Sequence, residues 1–473
     1  MNAKMWTRAL NALYAVGVAL AFVLFALHPQ YVGFLALGAT TDTTALNAAM
    51  KVIFADPLIT NVVTDTELMS LFKTDMNVKS DETTGGRYIE MAQYFQLPSG
   101  VGARGENDYV PVPQNPVFAN SRILLKKVQG VVEMTGDTMR RVMSGEGAFI
   151  SYMQRALPDL ATRVVNEVDR MYIGYGAGIK ARVLTKTDAT HYIVDRSLGV
   201  TGYQDPFLQF LENESVVFSA TAAGTALRNA GSGQSFQITA IDEGTNTLTF
   251  AANAPLDAAV VVNDYIFAGD AAGTSSQNSG VDREIAGLLA GVDDGNILAT
   301  YNNIVRSGNR LWQSIVIDGS ASPWGGLMSE DLLTFADDEV FIKGGGRTNA
   351  IVMSRPAARG YWKSLKSDRF FMDPKSYVGG KAGLTIILGD RNLPLKIARK
   401  LPPQVVFGLT TDYWRRFTLG QWEWDDKTGA IWNRVTDATG RKDAFYAVGN
   451  MYEQLFCTAP RKNFRIDGLT KAS

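Results

Sequence analysis

Between two strand-like runs the chain carries GVGARGENDYVPVPQNP, Gly100 to Pro116. The entering run is RYIEMAQYF, Arg87 to Phe95, and the returning run is SRILLKKVQGVVEM, Ser121 to Met134; both are rich in β-formers. Together they predict a long two-stranded arm with the quoted loop at its tip. Such a ribbon has little core of its own, and an isolated hairpin is marginal in water. The arm therefore has to lie against something, and a neighbouring subunit is a natural candidate.

The loop begins G-x-G-x-x-G, at Gly100, Gly102 and Gly105. A dinucleotide site needs a strand entering those glycines and a helix leaving them, with its first amides on the pyrophosphate. Here Pro111, Pro113 and Pro116 forbid that helix, and no Gly-Lys-Ser/Thr follows to complete a Walker loop. The glycines read instead as conformational freedom that bends an arm tip, and the prolines as a device holding the returning chain extended. Arg104, Glu106 and Asp108 place both signs of charge there, either solvated or paired with a partner.

Other chemistries find little support. The single cysteine, Cys457, lies in the apolar run YEQLFCTAP and excludes an internal disulfide or a thiolate metal cluster within one chain. The only histidines, His28 and His191, stand in unlike surroundings without a G-x-S-x-G or H-E-x-x-H partner motif. No two carboxylates sit in a context that suggests a raised pKa, and VDDGN (Val292 to Asn296) reads as a turn, since the later ligands of a calcium loop are missing. The late tryptophans Trp312, Trp324, Trp414, Trp422, Trp424 and Trp432 fall in strand-like runs and read as core or subunit interface. With 46 Lys and Arg against 47 Asp and Glu, no global basic field exists to condense nucleic acid. No catalytic residue, metal ligand, cofactor or small-molecule substrate is expected.

The remaining order is α+β. Ala9 to Leu27 form an apolar run preceded by Lys4 and Arg8, which fits a signal peptide, a membrane span or an apolar extension. After the arm, Phe149, Met153, Leu157, Leu160, Val164, Val168 and Met171 recur at threes and fours, an apolar helical stripe with Pro158 as a kink or restart. The charged Asp159, Arg163, Glu167, Asp169 and Arg170 fall mostly off that stripe and read as a solvated face. From about Arg182 to Asp270 the chain turns to Thr, Val, Ala, Gly and Asn, and FQITAIDEGTNTLTF predicts a hairpin in which Phe236, Ile238 and Ala240 share one face. A small inserted β-barrel or sandwich is expected there. Ser329 caps a helix that places Leu332, Phe335, Ala336 and Val340 on one face, Pro356 opens another, and the chain from Leu384 onward is again β.

This order resembles the major capsid protein of tailed bacteriophages, the Hong Kong 97 capsid fold. The likeness is carried by LFKT leading into GGRYIEMAQYFQLPSGVGARGENDYVPVP, by ILLKKVQGVVEMTGDTMRRV, by the helix from Phe149 to Tyr172 ending in GYGAG, by AIDEGTNTLTF with NDYIFAGD, by NAIVMSRPAARGYWKSLK, and by the closing RKDAFYAVGNMYEQLFCTAPRKNFRIDGL. The resemblance implies a Hong Kong 97-like fold with an apolar extension at 1–40, an N-terminal arm at 41–84 and an extended hairpin, the E-loop, at 85–134. A spine-helix region of the peripheral domain follows at 135–181, an inserted β-domain at 182–272, a mainly axial domain at 273–410, and closing strands of the peripheral and axial domains at 411–473.

It implies a self-assembling icosahedral shell of hexamers and pentamers, assembled in the host cytoplasm and enclosing packaged double-stranded DNA in the virion. Portal, scaffolding or decoration proteins would be partners, and DNA would be touched weakly and without sequence preference. The E-loop tip would be Gly100, Gly102, Arg104, Gly105, Glu106 and Asp108, its base Lys126 and Lys127, and the spine-helix core Phe149, Met153, Leu157, Leu160, Val164 and Val168. Some relatives cross-link a Lys of this loop to an Asn, but neither Lys126 nor Lys127 can be paired with a particular Asn here. The N-terminal apolar run departs from the family pattern and reads as a processed leader, an arm tucked under the shell or a start-site artefact. An encapsulin-type compartment, and an exported β-rich surface or adhesion protein, are the alternatives.

Overall fold

The computed structural model describes residues 68–75, 89–136, 160–228, 236–250, 260–269, 281–364 and 385–470, with gaps at 98, 114, 161–162, 165, 196, 205–208, 389–390, 420–421, 427–428, 430 and 438–439. The N-terminal apolar run, His28, Pro158, and Phe149, Met153 and Leu157 of the stripe lie outside the described residues.

After the short strand β1 (Lys73–Asp75), β2 (Ile89–Gln96) and β3 (Val117–Ile123) form the ribbon, antiparallel from Ile89↔Ile123 to Gln96↔Val117 with a register shift between Tyr94 and Gln96. Period-two geometry gives the ribbon two faces. Ile89, Met91, Phe95 and Ala119 point inward and pack partly against the main core, and Phe95 meets the Trp312 ring edge-on at 5.7 Å. Tyr94 and Phe118 pair across the strands on the outer face at 4.8 Å. The lower half of the arm therefore lies on its own chain, because half of its side chains are apolar and face that way. Among the described residues the loop beyond it has no such floor.

The returning run also divides. β3 ends at Ile123, and β4 (Lys126–Thr135) pairs over its whole length with β21 (Gly440–Cys457), from Glu453↔Lys126 to Ala444↔Thr135. Val128, Gly130, Val132 and Met134 alternate inward, so a strand read as part of the ribbon gains a core face in a larger sheet instead. Gly130 and Gly449 are partners in this ladder and both lie beneath Trp422; a Cβ on Gly449 would come within 1.9 Å of its ring.

Backbone at 166–173 is helical, and Val164, Val168, Tyr172 and Ile173 enter the same core as Trp414, Trp422, Leu455 and Phe456, with Leu160 packed partly against it. The chain then enters a closed barrel of β5 (Ile179–Lys186), β6 (His191–Asp195), β7 (Ser215–Ser219), β8 (Phe236–Asp242), β9 (Thr247–Phe250) and β10 (Tyr265–Ala268), in the order β10-β5-β6-β9-β8-β7. Tyr192, Phe218, Phe236 and Phe250 fill it. In the β8–β9 hairpin Ile238 faces Phe250 and Ala240 faces Thr249, so one extra residue bulges between them. That shifts the face: Phe236 and Ile238 are buried as the alternation predicts, but Ala240 is exposed and Ile241 packs inward in its place.

Beyond the barrel lie the short helix α1 (Leu288–Gly291), the hairpin β11 (Thr300–Tyr301) and β12 (Ile304–Val305), and β13 (Ile315–Asp318). Helix α2 (Glu330–Gly344) is capped by Ser329, whose side chain accepts from Leu332 N at 3.2 Å, and ends on Gly345 with φ 59°. Leu332, Leu333, Ala336 and Val340 are buried; Phe335, assigned to that face by spacing, points outward against Trp324. Strand β14 (Ala350–Met353) and helix α3 (Arg355–Ser364) follow. With β15 (Thr385–Leu388), β16 (Arg391–Ile397), β17 (Val406–Leu409) and the last strand, β22 (Phe464–Asp467), they complete a six-stranded sheet in the order β13-β22-β17-β14-β16-β15. The other six-stranded sheet gathers β1, β18 (Trp414–Thr418), β19 (Glu423–Trp424), β20 (Trp432–Asp437), β21 and β4. Trp312, Trp414, Trp422, Trp424 and Trp432 are all buried in the main core, and Trp324 is half-buried against a second core that includes Leu332, Ile351 and Phe464.

Candidate assembly interface

The loop between β2 and β3 stands away from all three hydrophobic cores. Leu97, Val101, Tyr109, Val110 and Val112 are exposed, Val101 to 98% and Tyr109 to 94%. Surfaces of soluble monomers rarely present so many apolar side chains on one continuous segment. The prolines remove amides from the returning chain, so it cannot complete the ladder with β2. Gly100, Gly102, Arg104, Gly105, Glu106 and Asp108 are brought together at this tip. None of the three glycines takes a left-handed backbone; the turn is closed by Asp108, whose carboxylate accepts from Gly105 N at 2.7 Å while its own N–H bonds Gly105 O at 3.3 Å. The bend thus comes from an Asp side chain, not from glycine freedom. Arg104 and Glu106 make no ion pair among the described residues.

Lys126 and Lys127 stand where β4 leaves the ribbon. Lys126 Nζ donates to the backbone carbonyl of Asp282, and burial lowers its pKa, opposed by the Asp282 charge. Lys127 lies over the Tyr452 ring, 5.9 Å from its centroid. Both are thereby tied to the body of the chain.

Elsewhere the described residues hold a buried set of charges. Arg170 donates twice to Glu284, from Nη1 at 2.9 Å and from Nη2, and from Nε to Glu167 at 3.0 Å; Lys180 reaches Glu167 at 3.1 Å and Glu214. Burial alone would raise Glu167, but Lys180, Arg170 and Lys400 hold its carboxyl well below the usual range. Lys400 Nζ donates to Asn166 O, and burial pulls its pKa down to about 8. The charged residues at 167 and 170 are therefore a clamp between helix, barrel and the 282–286 segment, not a solvated face. Sequence spacing could not show this, since Arg170 and Glu284 stand 114 residues apart.

Two further carboxylates escaped the sequence. Asp293, in VDDGN, is fully buried and accepts from Gly295 N, Leu298 N, Arg306 Nη1 and Arg465 Nη1. Glu453 on β21 is also fully buried and accepts from Tyr172 OH; Arg416 Nε lies 2.8 Å away without an aligned N–H. Burial pushes Glu453 up to about 8 and pulls Arg416 down. Cys457 is buried and its thiol is pushed up to about 12 by desolvation. His191 is half-exposed on β6, with Nδ1 2.9 Å from Asp188. Among the described residues no group of three or more His, Cys, Asp or Glu side chains could hold a metal, and no helix is long and apolar enough to cross a membrane.

No family model matches the chain, and no curated protein matches it. Solved structures do. The chain is similar to that of the cyanophage A-1(L) capsid asymmetric unit, with 11% identity, coverage of 86% of this chain and 93% of the other, and a TM-score of 0.47. It is similar to the satellite phage P4 procapsid (7% identity, 88% and 99% covered, TM-score 0.35) and to the SrpI encapsulin of Synechococcus elongatus (10%, 87% and 90%, TM-score 0.36).

Proposed function

We propose that this chain is the major capsid protein of a tailed bacteriophage, a Hong Kong 97-like subunit that assembles as hexamers and pentamers into an icosahedral shell around packaged double-stranded DNA. In this reading the β2–β3 ribbon is the E-loop, the helix through Val164 and Val168 is the spine helix, and the barrel is the inserted domain. The virion is its location, and portal, scaffolding or decoration proteins are its further partners. One observation carries the reading: an arm rooted in the core of its own chain ends in a loop whose apolar side chains are exposed and whose Arg104 and Glu106 make no ion pair among the described residues. A subunit that builds a closed array needs such a reaching element, since each copy must both offer and receive a surface.

The test is size-exclusion chromatography and negative-stain microscopy of purified full-length chain. Hexamers or megadalton shells are expected. Monomers under every assembly condition would overturn the reading. Shells recovered from the producing cells with protein cargo and no DNA would favour an encapsulin-type compartment instead.

A further inference from the structure

A cleft of about 410 Å³ opens where the barrel meets the helix at 166–173 and the segment after β16. Phe210, Leu211 and Ile241 give it apolar lining, and the buried Lys400 lines it as well. Two buried lysines meet this lining, and their hydrogen bonds differ. Lys180 Nζ uses all three of its protons, on Glu167 at 3.1 Å, on the Gln209 carbonyl at 3.2 Å and on Glu214. An ammonium so bound is a structural cation. Lys400 Nζ has one partner among the described residues, the Asn166 carbonyl, and makes no ion pair among them. Three protons facing a single acceptor suit a buried ammonium badly, whereas a neutral amine needs fewer acceptors and keeps a lone pair. The surrounding charges agree. Glu167, Asp169 and Arg170 face Lys400 from the helix and Lys180 from β5, and Glu167 is already shared by Lys180 and Arg170.

A desolvated lysine beside other cations is a nucleophile. We propose that Lys400 is a covalent attachment point for small neutral aldehydes, which enter the cleft with their carbon chain against Leu211 and Ile241. Charged ligands fit less well: Glu212, Glu243 and Arg399 are exposed in the lining, so an anion meets two carboxylates and a cation meets a guanidinium. In the reaction Nζ adds to the carbonyl carbon, the π pair goes to oxygen, and one nitrogen proton follows it through water. Departure of that hydroxyl as water, with the second nitrogen proton, leaves an imine. No oxidant or reductant is consumed. The site is complete within one subunit and does not depend on assembly.

The probe is propanal with sodium cyanoborohydride, which reduces an imine to a stable secondary amine, applied to the full-length chain and read by site-resolved mass spectrometry. Burial holds the Lys400 pKa at about 8, so about a tenth of it is neutral at pH 7 against less than about a thousandth of an ordinary lysine. Restricted entry takes back part of that advantage. Lys400 is therefore expected to label about tenfold faster than the exposed Lys73 and Lys127 at pH 7. The ratio should shrink at least about tenfold by pH 10, where ordinary lysines lose their protons and Lys400 has already lost its own. Leu211→Trp, a change at an exposed position that narrows the cleft, should slow labelling of Lys400 severalfold and leave Lys73 unchanged. Labelling of Lys400 no faster than that of Lys73 at pH 7 would overturn the reactive amine. Fast labelling that Leu211→Trp leaves untouched would overturn the cleft as its site.

Discussion

The barrel and the ribbon are both antiparallel β-structure, and they handle exposed edges in opposite ways. The barrel closes on itself, so β10 pairs with both β5 and β7 and every strand has two neighbours. Tyr192, Phe218, Phe236 and Phe250 pack on one another inside it. The ribbon has two strands, packs one face on the main core, and sends its loop and outer face into solvent. A closed sheet completes its own burial; an open one passes part of that requirement to another molecule. The first kind of element sets the stability of the subunit; in the proposed reading the second sets how the subunit meets its copies.

The largest expected effect is on the closed element. Phe218 is fully buried at the centre of the barrel, in ring contact with Tyr192, Phe236 and Phe250. Phe218→Ala should cost about 3 to 5 kcal/mol of folding stability through lost burial and the cavity left behind. Chemical denaturation of the unassembled subunit measures it. A loss below about 1 kcal/mol would mean that the barrel does not depend on this packing, and the contrast with the ribbon would break.

The root of the ribbon should show an intermediate effect that depends on pH. Glu453 pairs in register with Lys126, the first residue of β4, and the groups facing it are Tyr172 from the helix, Arg416 from β18 and Lys126 itself. Burial raises the carboxyl to about 8, above its ordinary value, so between the usual carboxylate range and about pH 8 the folded chain holds a proton that the unfolded chain has released. Stability then falls as pH rises through this window, by an amount on the order of a few kcal/mol, and levels off above it. Glu453→Gln, which keeps the acceptor for Tyr172 without the charge, should flatten the fall and be the more stable form at pH 9. Melting temperatures at pH 5, 7 and 9 decide this; parallel curves for the two proteins would show that Arg416 neutralises the carboxylate after all.

What the sequence disclosed follows the same division. Strands of the barrel and of the closing sheet were legible because alternation records which side chains face inward. Alternation says nothing about which strand lies alongside, and so Ser121 to Met134 read as one strand although its second half, β4, pairs with β21. The bulge in β8 was hidden for a related reason: a period of two cannot announce the residue at which it slips. The buried charges were out of reach for another. Arg170 finds Glu284, and Tyr172 finds Glu453 across 281 residues, and each charged residue read alone has the composition of a surface. At the tip, the prolines correctly removed the phosphate-binding helix, but the turn belonged to Asp108 rather than to the glycines.

The smallest expected effect on stability is the one that bears most on function. Val110 is 86% exposed and belongs to none of the cores formed by the described residues. Val110→Ser should therefore change the unfolding free energy of the free subunit by less than about 0.5 kcal/mol, as for other exposed positions. In an assembled array the same side chain would lie against a second copy, and there its loss removes apolar burial worth roughly 1 kcal/mol at every contact. A shell multiplies that small difference over all its subunits, so the concentration at which shells appear should rise severalfold while the melting curve of the monomer stays in place. Light scattering against subunit concentration measures the first quantity and calorimetry the second. Should both move together, the ribbon would be part of the subunit's own core, and the distinction between closed and reaching elements would be lost.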